Sequence, residues 1–578
     1  MARPITSSGP GTPSRPVVPS RLGRLSATEQ RVWNAFPHGE TVDLSTGDPA
    51  QDDPTDATLW SADRDVRGEV VAALLLGACQ GGVGAVPAVR LTGARITGEL
   101  RVDHGQITSP LVLRRCRFEG AIELDGAVTG SIDLRGSRMT VLNAYGAQVR
   151  GTLDLRDTVL TGVGGQAVHA DGIQVDGSLF ANRTRAHGTF CLINAHVGGQ
   201  VTFIAAQLLT DVARGKSLNA GGIRVGRSFL AQALRTRGEV RLPGAHIGSS
   251  LLFNGARLNG FGAPALYADD IMVASEATFR TYTIDRKLTP FTAIGPVHLA
   301  GGRFGSDLIL AGVRLRCPGR KVALNAERIV VDGSLQLTDG LRTKAEIRLT
   351  GARIKGHLEL TGMASPDALL TLYSATVEGG IHEDVESWPR RLDLDGFTYG
   401  PFSHYLGADH RIALIQRQIR KSDGAMGSGY RAQPYEQLAS YYRGLGNDGE
   451  ARTVLLAKQR ALRSRLPRLQ RLPGHLLDVL VGYGYRPLRA IGWAVTLLTA
   501  SSVYFAQVRP EHVATDDTSV FNPVLYAADH LVPIIHFGQP DVWEYHGAPE
   551  VVTAVLTVLG WTLGIAIAAA ASRTLTRN

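Results

Sequence analysis

The stretch LTGARITGELRV, Leu91–Val102, decides the fold of this 578-residue chain, because its pattern returns along some three hundred residues. Clear further copies are LNAYGAQVRGTLDL at Leu142–Leu155, LNAERIVVDGSLQL at Leu324–Leu337 and LTGARIKGHLEL at Leu349–Leu360. Each copy places Gly or Ser before an alternating apolar pair. A fixed internal period is typical of stacked repeat architectures, so the sequence predicts a solenoid from about Leu91 to Leu394.

The spacing of the small residues indicates which kind of solenoid this is. They recur in steps of 10 or 11 residues or about twice that, as at Gly98, Ser109, Gly120 and Gly130. Apolar residues that we expect to point inwards come every five or six positions, which fits strands and is too short for a helix-turn-helix repeat. These positions begin with Ile96, Val102, Ile107, Leu113, Phe118, Leu124, Val128, Leu134 and Met139. Four such sides would close a coil of about 21 or 22 residues, with Gly and Ser at its corners.

We therefore predict a mainly β fold, a right-handed β-helix whose coils pair at roughly 4.8 Å. About a dozen coils at that spacing would make a rod about 60 Å long. The five-residue rhythm resembles that of pentapeptide-repeat and related bacterial β-helix proteins. Four segments break the rhythm and are expected to bulge from one side as loops, namely Thr161–Ala167, Leu209–Leu218, Leu258–Ala265 and Thr281–Ile294.

The residues before the repeat predict a tail and a cap. Residues 1–24 are rich in Pro, Ser, Gly and Arg without an apolar run, which predicts a disordered tail and not a signal peptide. Residues 25–89 predict a helical N-terminal cap, with one helix at Leu25–Phe36 after the N-cap Ser26 and a second at Asp63–Cys79. The β-helix itself is predicted over residues 90–399.

Residues 400–487 predict a helical adaptor. Gly407–Ser422 has helical periodicity, and Gln433–Arg465 fits two helices broken at Gly444–Gly449. The pair of helices in Gln433–Arg465 resembles a single tetratricopeptide-like hairpin. One copy cannot form the binding groove of a repeat array, so we interpret it as a packing adaptor.

Residues 488–578 predict a membrane domain. Ala490–Val508 and Val551–Ser572 carry no formal charge, and each is long enough to cross a hydrocarbon core of roughly 30 Å. Nine Lys or Arg residues and one acid precede the first span between Ala451 and Arg489, whereas the connection Arg509–Glu550 holds one Arg and seven acids. Segments rich in Lys and Arg next to a transmembrane helix usually stay on the cytoplasmic side of the membrane. We therefore expect a multi-pass protein of the cell membrane with both termini cytoplasmic and residues 509–550 external.

The basic segment before the first span contributes to the isoelectric point of about 9.5. Because it lies immediately cytoplasmic of a span, we expect contact with anionic lipid rather than nucleic acid. The residues expected to contact lipid are Lys458, Arg460, Arg463, Arg465, Arg468 and Arg471.

The chain carries no recognisable catalytic motif. The four cysteines are scattered singly, without the spacing of a metal clip, a redox pair or a disulfide framework, which favours buried structural thiols. Neither G-x-S-x-G nor H-E-x-x-H occurs. Val481–Gly484 spells the core of a potassium filter but precedes the first span instead of lying between two. No cofactor or metal can be assigned from these residues.

The external connection contains the candidate functional loop, Phe521–Trp543. We expect a short interfacial helix at Pro523–Leu531 followed by a turn, either packed on the outer ends of the spans or serving as a re-entrant or sensing element. His530 and His536 could titrate near neutral pH in the second case. The candidate functional residues are Tyr526, Asp529, His530, Pro533, His536 and Asp541.

Five blocks in one order resemble a family of actinobacterial-type membrane proteins often labelled "membrane-associated oxidoreductase". These blocks are Leu25–Pro49, the β-helix, Gln433–Arg465, VGYGYRP at Val481–Pro487 and NPVLYAADHLVPIIHFGQ at Asn522–Gln539. The resemblance implies a redox enzyme at the membrane, although no residue here matches a cofactor motif that could be carried over.

Four functions remain open from the sequence. A non-catalytic, membrane-anchored scaffold for an unidentified protein partner agrees best with the architecture. An oxidoreductase with an unrecognised cofactor site is the alternative, and a pore-like or sensor-like role of the external loop is a third. An enzyme that cleaves acidic polysaccharide could use Asp154, Arg156, Arg183 and Arg185, although these also fit as solvent-facing strand positions. Two spans would also permit self-association.

Overall fold

The computed structural model describes residues 18–56, 60–284, 286–418, 430–464, 487–508, 510–512, 520–532 and 535–575, together with 471, 474, 475, 478 and 479. The chain divides into two compact units, Met1–Tyr405 and Leu406–Asn578. The first unit is a parallel β-solenoid of about 13 turns and the second is helical. The predicted mainly β solenoid with helices at the C-terminal end is therefore confirmed.

Four parallel sheets, A to D in chain order, form the sides of the solenoid, so that sheet B lies opposite sheet D. Sheet A comprises Val42–Asp43, Val89–Thr92, Leu111–Arg114, Ile132–Asp133, Leu153–Asp154, Leu179–Phe180, Val201–Thr202, Phe229–Leu230, Leu251–Leu252, Ala277–Phe279, Leu308–Ala311, Leu335–Thr338, His357–Leu360 and Gly380–Glu383. Sheet B comprises Asp65–Arg67, Arg95–Thr97, Arg117–Phe118, Arg138–Met139, Val159–Leu160, Arg185–His187, Gln207–Leu209, Arg235–Arg237, Arg257–Asn259, Thr292–Ile294 and Arg314–Arg316.

The other two sides have the same construction. Sheet C comprises Leu100–Arg101, Ile122–Glu123, Leu142–Asn143, Gln166–His169, Thr189–Cys191, Lys216–Asn219, Glu239–Arg241, Leu266–Tyr267, Val297–His298, Val322–Asn325, Glu346–Arg348, Leu369–Thr371 and Arg391–Asp393. Sheet D comprises Val128–Thr129, Gln148–Val149, Gln174–Val175, His196–Val197, Arg224–Val225, His246–Ile247, Met272–Val273, Arg303–Phe304, Val330–Val331, Arg353–Ile354, Thr376–Val377 and Thr398–Tyr399.

The interior consists of apolar side chains stacked in register from coil to coil. On sheet A, Leu153 pairs with Leu179 and Leu179 with Val201, and all three are buried. Removing these side chains from water is the main stabilising contribution of each added coil. Since successive strand residues point to opposite faces, the residue after each inward position points outward, although on sheet A outward residues such as Asp154 and Thr202 are still buried.

The corner between sheets A and B requires a left-handed backbone conformation in these coils. Gly136 follows a sheet A strand with φ of 68°, a left-handed conformation that glycine adopts without strain. Asp157 holds the same corner one coil later with φ of 59°. The backbone N–H groups of Gly136 and Asp157 each donate to a carbonyl of the next coil, and these hydrogen bonds help to hold the non-glycine residue in this conformation.

One predicted inward residue is wrong. Val128 faces outward in register with Gln148, and the neighbouring Thr129 is buried instead. Both side chains are β-branched and similar in size, so the five-residue rhythm could not separate them.

The breaks in the rhythm fall mainly at one corner. The segments between Leu160 and Gln166, Leu209 and Lys216, and Asn259 and Leu266 all connect sheet B to sheet C. The fourth break instead lies between sheets A and B, and it forms an antiparallel hairpin of Tyr282–Ile284 and Lys287–Thr289.

Helices cover the N-terminal end of the solenoid. Helix α1, Ala27–Ala35, has Ser26 as its N-cap in a capping box with Glu29. Helix α2, Gly68–Leu75, is shorter than predicted because Asp65–Arg67 forms the first strand of sheet B. Within the segment predicted as a tail, Ser20–Leu22 forms a short 3-10 helix whose last residue is buried and accepts a hydrogen bond from Arg67. Further 3-10 turns are Phe36–His38, Ala62–Arg64 and Val385–Ser387.

The second unit begins with three packed helices, α3 at Ala408–Ile415, α4 at Gln433–Gly444 and α5 at Asp448–Arg463. Leu438, Tyr442 and Ala451 are buried in one cluster with residues of α3, as a packing adaptor requires. The end predicted for α3 at Ser422 lies outside the described residues.

The rest of this unit contains α6 at Pro487–Gln507, α7 at Pro523–Leu531, the short α8 at Gln539–Val542 and α9 at Ala548–Leu575. Glu511–His512 pairs antiparallel with Trp543–Glu544. In the described part of the chain, one helix is long and apolar enough to cross a membrane, over the window Ala548–Ile565. Helix α6 covers the first predicted span but does not pass the same test of length and hydropathy.

Candidate functional site

The predicted external loop packs against the C-terminal half of α6 and the N-terminal half of α9. Tyr526 on α7 lies between Phe505 and Tyr545, with ring centroids 5.1 and 5.4 Å away. The hydroxyl of Tyr545 donates to the carbonyls of Phe505 and Val508, at 3.1 and 3.0 Å. Burial raises the pKa of Tyr526, and it raises that of Tyr545 to about 12. Both phenols therefore stay protonated near neutral pH, and both rings contribute packing contacts between the helices.

Asp529 organises the turn that follows α7. Its carboxylate is almost completely buried and accepts hydrogen bonds from the backbone N–H groups of Phe537 and of Gln539, the latter at 3.0 Å. His536 lies outside this turn, with Nδ1 at 3.7 Å from Asp529 and Nε2 at 3.3 Å from Asp541. The structure thus brings Asp529, His536 and Asp541 together, whereas Pro533 lies outside the described residues.

His530 points the other way, into the helix packing. Its Nδ1 lies 3.1 Å from the hydroxyl of Thr557 on α9, and its ring contacts that of Tyr526 at 4.8 Å between centroids. Burial lowers the pKa of His530, and the charge of Asp529 offsets this in part. Its Nε2 is buried without a hydrogen-bond partner among the described residues. His530 and His536 therefore do not form one site, and no group of three metal-ligating side chains occurs in the described chain.

The basic residues before α6 are partly engaged within their own unit. Lys458 pairs with Glu436, and Arg460 and Arg463 both pair with Asp478 at 3.0 Å. Burial opposes ionisation of Asp478, but the two guanidinium groups lower its pKa overall. Arg471 donates to the carbonyl of Ser464, and Arg465 and Arg468 lie outside the described residues.

The cysteines are free thiols. Cys79, Cys116 and Cys191 are buried and Cys317 is half-buried. Burial raises all four thiol pKa values, to about 12 for Cys116 and to about 11 for Cys191 and Cys317. A thiol with so high a pKa is a poor nucleophile at neutral pH.

Three of the four charged residues that could serve polysaccharide cleavage form ion pairs on the surface of the rod. Asp154 pairs with Arg156, and Arg183 pairs with Asp157 at 2.6 Å. Arg185 on sheet B has no such partner among the described residues. Asp154, Arg156 and Arg183 therefore form ion pairs that connect neighbouring positions on the surface of the rod.

Two cavities were not predicted from the sequence. A groove of about 660 Å³ follows the outward face of sheet D. Its lining includes five outward residues that stand in register, namely His196, Arg224, His246, Met272 and Arg303.

The larger cavity, of about 970 Å³, lies at the corner between sheets B and C. Its lining includes seven basic and two acidic side chains. The sequence signal for this basic surface was available, because Arg recurs just before the inward residue of many sheet B strands. It could be recognised only once the register had placed those arginines on one side.

No protein-family model, curated protein or solved structure matches this chain. The resemblance to membrane-associated oxidoreductases receives no support from these comparisons.

Proposed function

We propose that this chain is a non-catalytic, membrane-anchored scaffold whose solenoid offers a long regular surface to protein partners in the cytoplasm. The observation that carries the proposal is a contrast between the two units. The solenoid buries most of its apolar residues inside, whereas α9 leaves an apolar face open, with only 22% of its Ala548–Ile565 window buried. The rod suits a partner in water and the helix suits lipid.

The exposed residues of α9 support the membrane anchor. Val551, Val555, Val558, Trp561 and Ile565 are each more than half exposed. A contiguous apolar face of this kind is rare on soluble monomers and marks a membrane or protein contact.

We extend the anchor to α6 as a second span. Ile491, Val495 and Val503 are exposed on this helix, while Ala490 packs with Leu563 of α9 in a buried cluster. Two helices that pack on each other and expose apolar side chains elsewhere fit a pair of spans. The basic flanks before α6 and the acidic connection after it favour cytoplasmic termini and an external 509–550 loop, with anionic lipid near the basic flank.

The scaffold role is supported by the repeated outward surface. Outward positions repeat in register over the coils, so a partner meets the same spacing of side chains along the rod. Such surfaces serve binding in many solenoid proteins.

Cysteine labelling tests the anchor and its orientation. Glu544→Cys and Met272→Cys each place a thiol at an exposed position, one in the external loop and one on sheet D. We expect a membrane-impermeant maleimide to label Glu544→Cys in intact cells and Met272→Cys only after permeabilisation. Labelling of Met272→Cys in intact cells would contradict the orientation, and recovery of the chain in the soluble fraction would contradict the anchor.

The visible spectrum of the purified protein separates the scaffold from the alternative oxidoreductase. We expect a colourless protein that is joined to a stoichiometric partner when photocrosslinkers are placed along the solenoid. Flavin or haem absorption in the purified protein would favour the oxidoreductase that the family resemblance implies.

A second candidate function, sensing by the external loop, is favoured by the position of His530. This residue meets Thr557, nine residues into α9, so α7 lies beside the proposed span as a re-entrant segment would. Because burial lowers its pKa, His530 is neutral at pH 7 and gains a charge only on acidification. We expect acid pH to loosen α7 in the natural chain but not in a His530→Gln variant, measured by hydrogen exchange of Pro523–Leu531. Equal loosening in both would remove this candidate.

A further inference from the structure

Sheet B carries a column of arginines on its outward face. Arg95, Arg117 and Arg138 stand in register on neighbouring coils, and the same column continues through later strands. Its other basic members are Arg185, Arg235, Arg257, Arg314 and Arg342, with Val159, Gln207 and Thr292 between them. We call the part from Arg185 to Arg342 the open arginine column. At roughly 4.8 Å per coil it extends over about 29 Å.

At the N-terminal end of this column, the arginines already bind backbone carbonyls of the chain's own residues Pro54, Thr55 and Trp60. Arg95 donates to the carbonyl of Trp60 at 2.6 Å, and Arg117 donates to that of Pro54 at 3.1 Å. Arg138 donates to the carbonyl of Thr55 at 3.3 Å. The segment is acidic, with Asp52, Asp53 and Asp56 beside these carbonyls. The guanidinium groups at this end therefore bind an acidic segment through its backbone.

The open arginine column has the same guanidinium chemistry. Its five arginines are exposed and make no ion pair with any described residue. None of the sheet B strands from Val159–Leu160 to Arg314–Arg316 contains an acidic residue. A face of one charge sign attracts an oppositely charged partner and raises its rate of association.

The 970 Å³ cavity closes the C-terminal end of the column. It forms where sheet B stops after Arg314–Arg316 while sheets A, C and D continue. Arg314 and Arg342 line it together with Arg316, Lys344 and Arg391. Its two acids have partners of their own, since Glu346 pairs with Arg348 and Asp367 with Arg390. The cavity is thus strongly positive and large enough for several residues of a peptide.

The shape and composition of the face favour a peptide over a nucleic acid. Single-stranded nucleic acid is generally held by aromatic side chains that stack on its bases. No outward strand position of sheet B holds Phe, Tyr or Trp; the one imidazole among those positions is that of His187, and the nearby Phe261 is covered by the guanidinium of Arg237 at 4.2 Å. An extended peptide of about nine residues matches the length of the open column at roughly 3.3 Å per residue.

We propose that the open arginine column and its terminal cavity bind an extended, acidic segment of a partner protein, laid lengthwise along sheet B. This inference rests on the proposed scaffold function and names the chemistry of its partner. Carboxylates would pair with the unpaired arginines, and backbone carbonyls would accept from them as those of Pro54, Thr55 and Trp60 do.

The test uses the full chain in detergent and a fluorescein-labelled twelve-residue probe of alternating Glu and Thr. A matched probe replaces every Glu by Gln. We expect the Glu probe to bind by fluorescence anisotropy at low salt, the Gln probe to bind at least about tenfold more weakly, and the affinity to fall as salt screens the charges. The double variant Arg235→Glu, Arg257→Glu should weaken binding of the Glu probe by about tenfold or more.

A matched control places the same charge change on the opposite side of the rod. Arg224→Glu with Arg303→Glu alters two exposed arginines of sheet D and should change the affinity by less than about twofold. The neutral variant Arg235→Gln, Arg257→Gln should give an intermediate loss, and a matching melting temperature shows that each variant is folded.

Three outcomes would overturn the inference. They are equal binding of the Glu and Gln probes, equal losses in the sheet B and sheet D variants, and tighter binding of a single-stranded DNA of equal charge, which would assign the column to nucleic acid. Photocrosslinking in cells distinguishes a failure of the acidic-segment inference from a failure of the proposed scaffold function. If the Arg235→Glu, Arg257→Glu variant still crosslinks to its partner, the scaffold function stands and the acidic-segment inference is wrong. If the natural chain binds the Glu probe but crosslinks to no cellular partner, the column binds acidic peptides and the scaffold function is wrong.

Discussion

Inside the solenoid, the rings of Phe253 and Phe279 lie on neighbouring coils with centroids 5.7 Å apart and an interplanar angle of 3°. Both side chains are buried, and Phe229 continues the stack on the preceding side at 6.1 Å from Phe253. Each ring therefore fills the gap between two coils. Because a solenoid coil contacts only its neighbours, the loss of one ring acts locally.

Phe253→Ala should lower the free energy of opening of the surrounding coils by about 3–5 kcal/mol, since it removes a buried ring and leaves a cavity. Hydrogen exchange of the strands Leu251–Leu252 and Ala277–Phe279 measures this directly. Tyr145→Ala is the control, because that ring is 57% exposed and should cost less than about 1.5 kcal/mol. Unchanged protection in Phe253→Ala would show that the stack does not stabilise these coils.

Asp52 should make the N-terminal cap sensitive to acid. Burial opposes its ionisation, but hydrogen bonds from the Thr46 N–H, the Arg64 guanidinium and the Gly47 N–H lower the pKa of Asp52 to about 2 from an ordinary 3.8. The folded state thus favours the carboxylate, and this stabilisation is complete above pH 3.8 and is lost as the pH falls towards 2.

Asp52→Asn should therefore cost about 1–3 kcal/mol at neutral pH and remove the acid-dependent part of the loss. The measurement is hydrogen exchange of Thr46 and Gly47, corrected for the intrinsic rate, between pH 5 and pH 2. The exposed Glu386→Gln should leave the profile unchanged. An Asp52→Asn variant that still loses protection in the same acid window would assign the effect to another group.

The fold could be predicted because two sequence patterns indicate the coil independently, namely the period of the small residues and the spacing of the inward apolar residues. Gly98 and Gly120 mark equivalent corners one coil apart, and Ile96 and Phe118 pair in register inside. Each of these positions can be recognised from its own residue type, without knowledge of its neighbours in space. Where two neighbours serve equally well, as with Val128 and Thr129, the pattern cannot choose between the faces.

The surfaces could not be predicted in the same way, because they depend on register between residues far apart in the chain. Arg257 and Arg314 belong to one column although Thr292 and a hairpin insertion separate them. Their relation appears only after the insertions are placed outside the coil. In the loop, the six-residue spacing of His530 and His536 gave no hint that α7 would direct the former to Thr557 and leave the latter in solvent.

Asp529→Asn should loosen the turn after α7. An amide has one acceptor oxygen where the carboxylate has two, so the N–H of Phe537 or that of Gln539 loses its charged partner, at a cost of about 1.5–3 kcal/mol. Hydrogen exchange of these two amides is the measurement. His536→Ala is the matched control, because its ring is 69% exposed and should contribute less than about 1 kcal/mol. Similar exchange in both variants would mean that Asp529 does not hold the turn.

Gly560 lets α7 approach the middle of α9. A Cβ atom there would lie 2.8 Å from the carbonyl carbon of Leu531 and 2.9 Å from the carbonyl oxygen of His530, so backbone would have to move. Four residues on, the same atom at Gly564 would meet nothing within 4 Å. The two positions share one helix and one residue type and differ only in the presence of α7.

Gly560→Ala should therefore destabilise the packing of α7 by about 1–3 kcal/mol through overpacking. Gly564→Ala should be neutral or should stabilise α9 by up to about 1 kcal/mol, since alanine favours a helix. The melting temperature in detergent measures the change in stability of each variant, and hydrogen exchange of Pro523–Leu531 measures the change in the packing of α7. If both variants protect α7 as well as the natural chain does, α7 does not lie against Gly560, and the re-entrant position proposed for His530 fails with it.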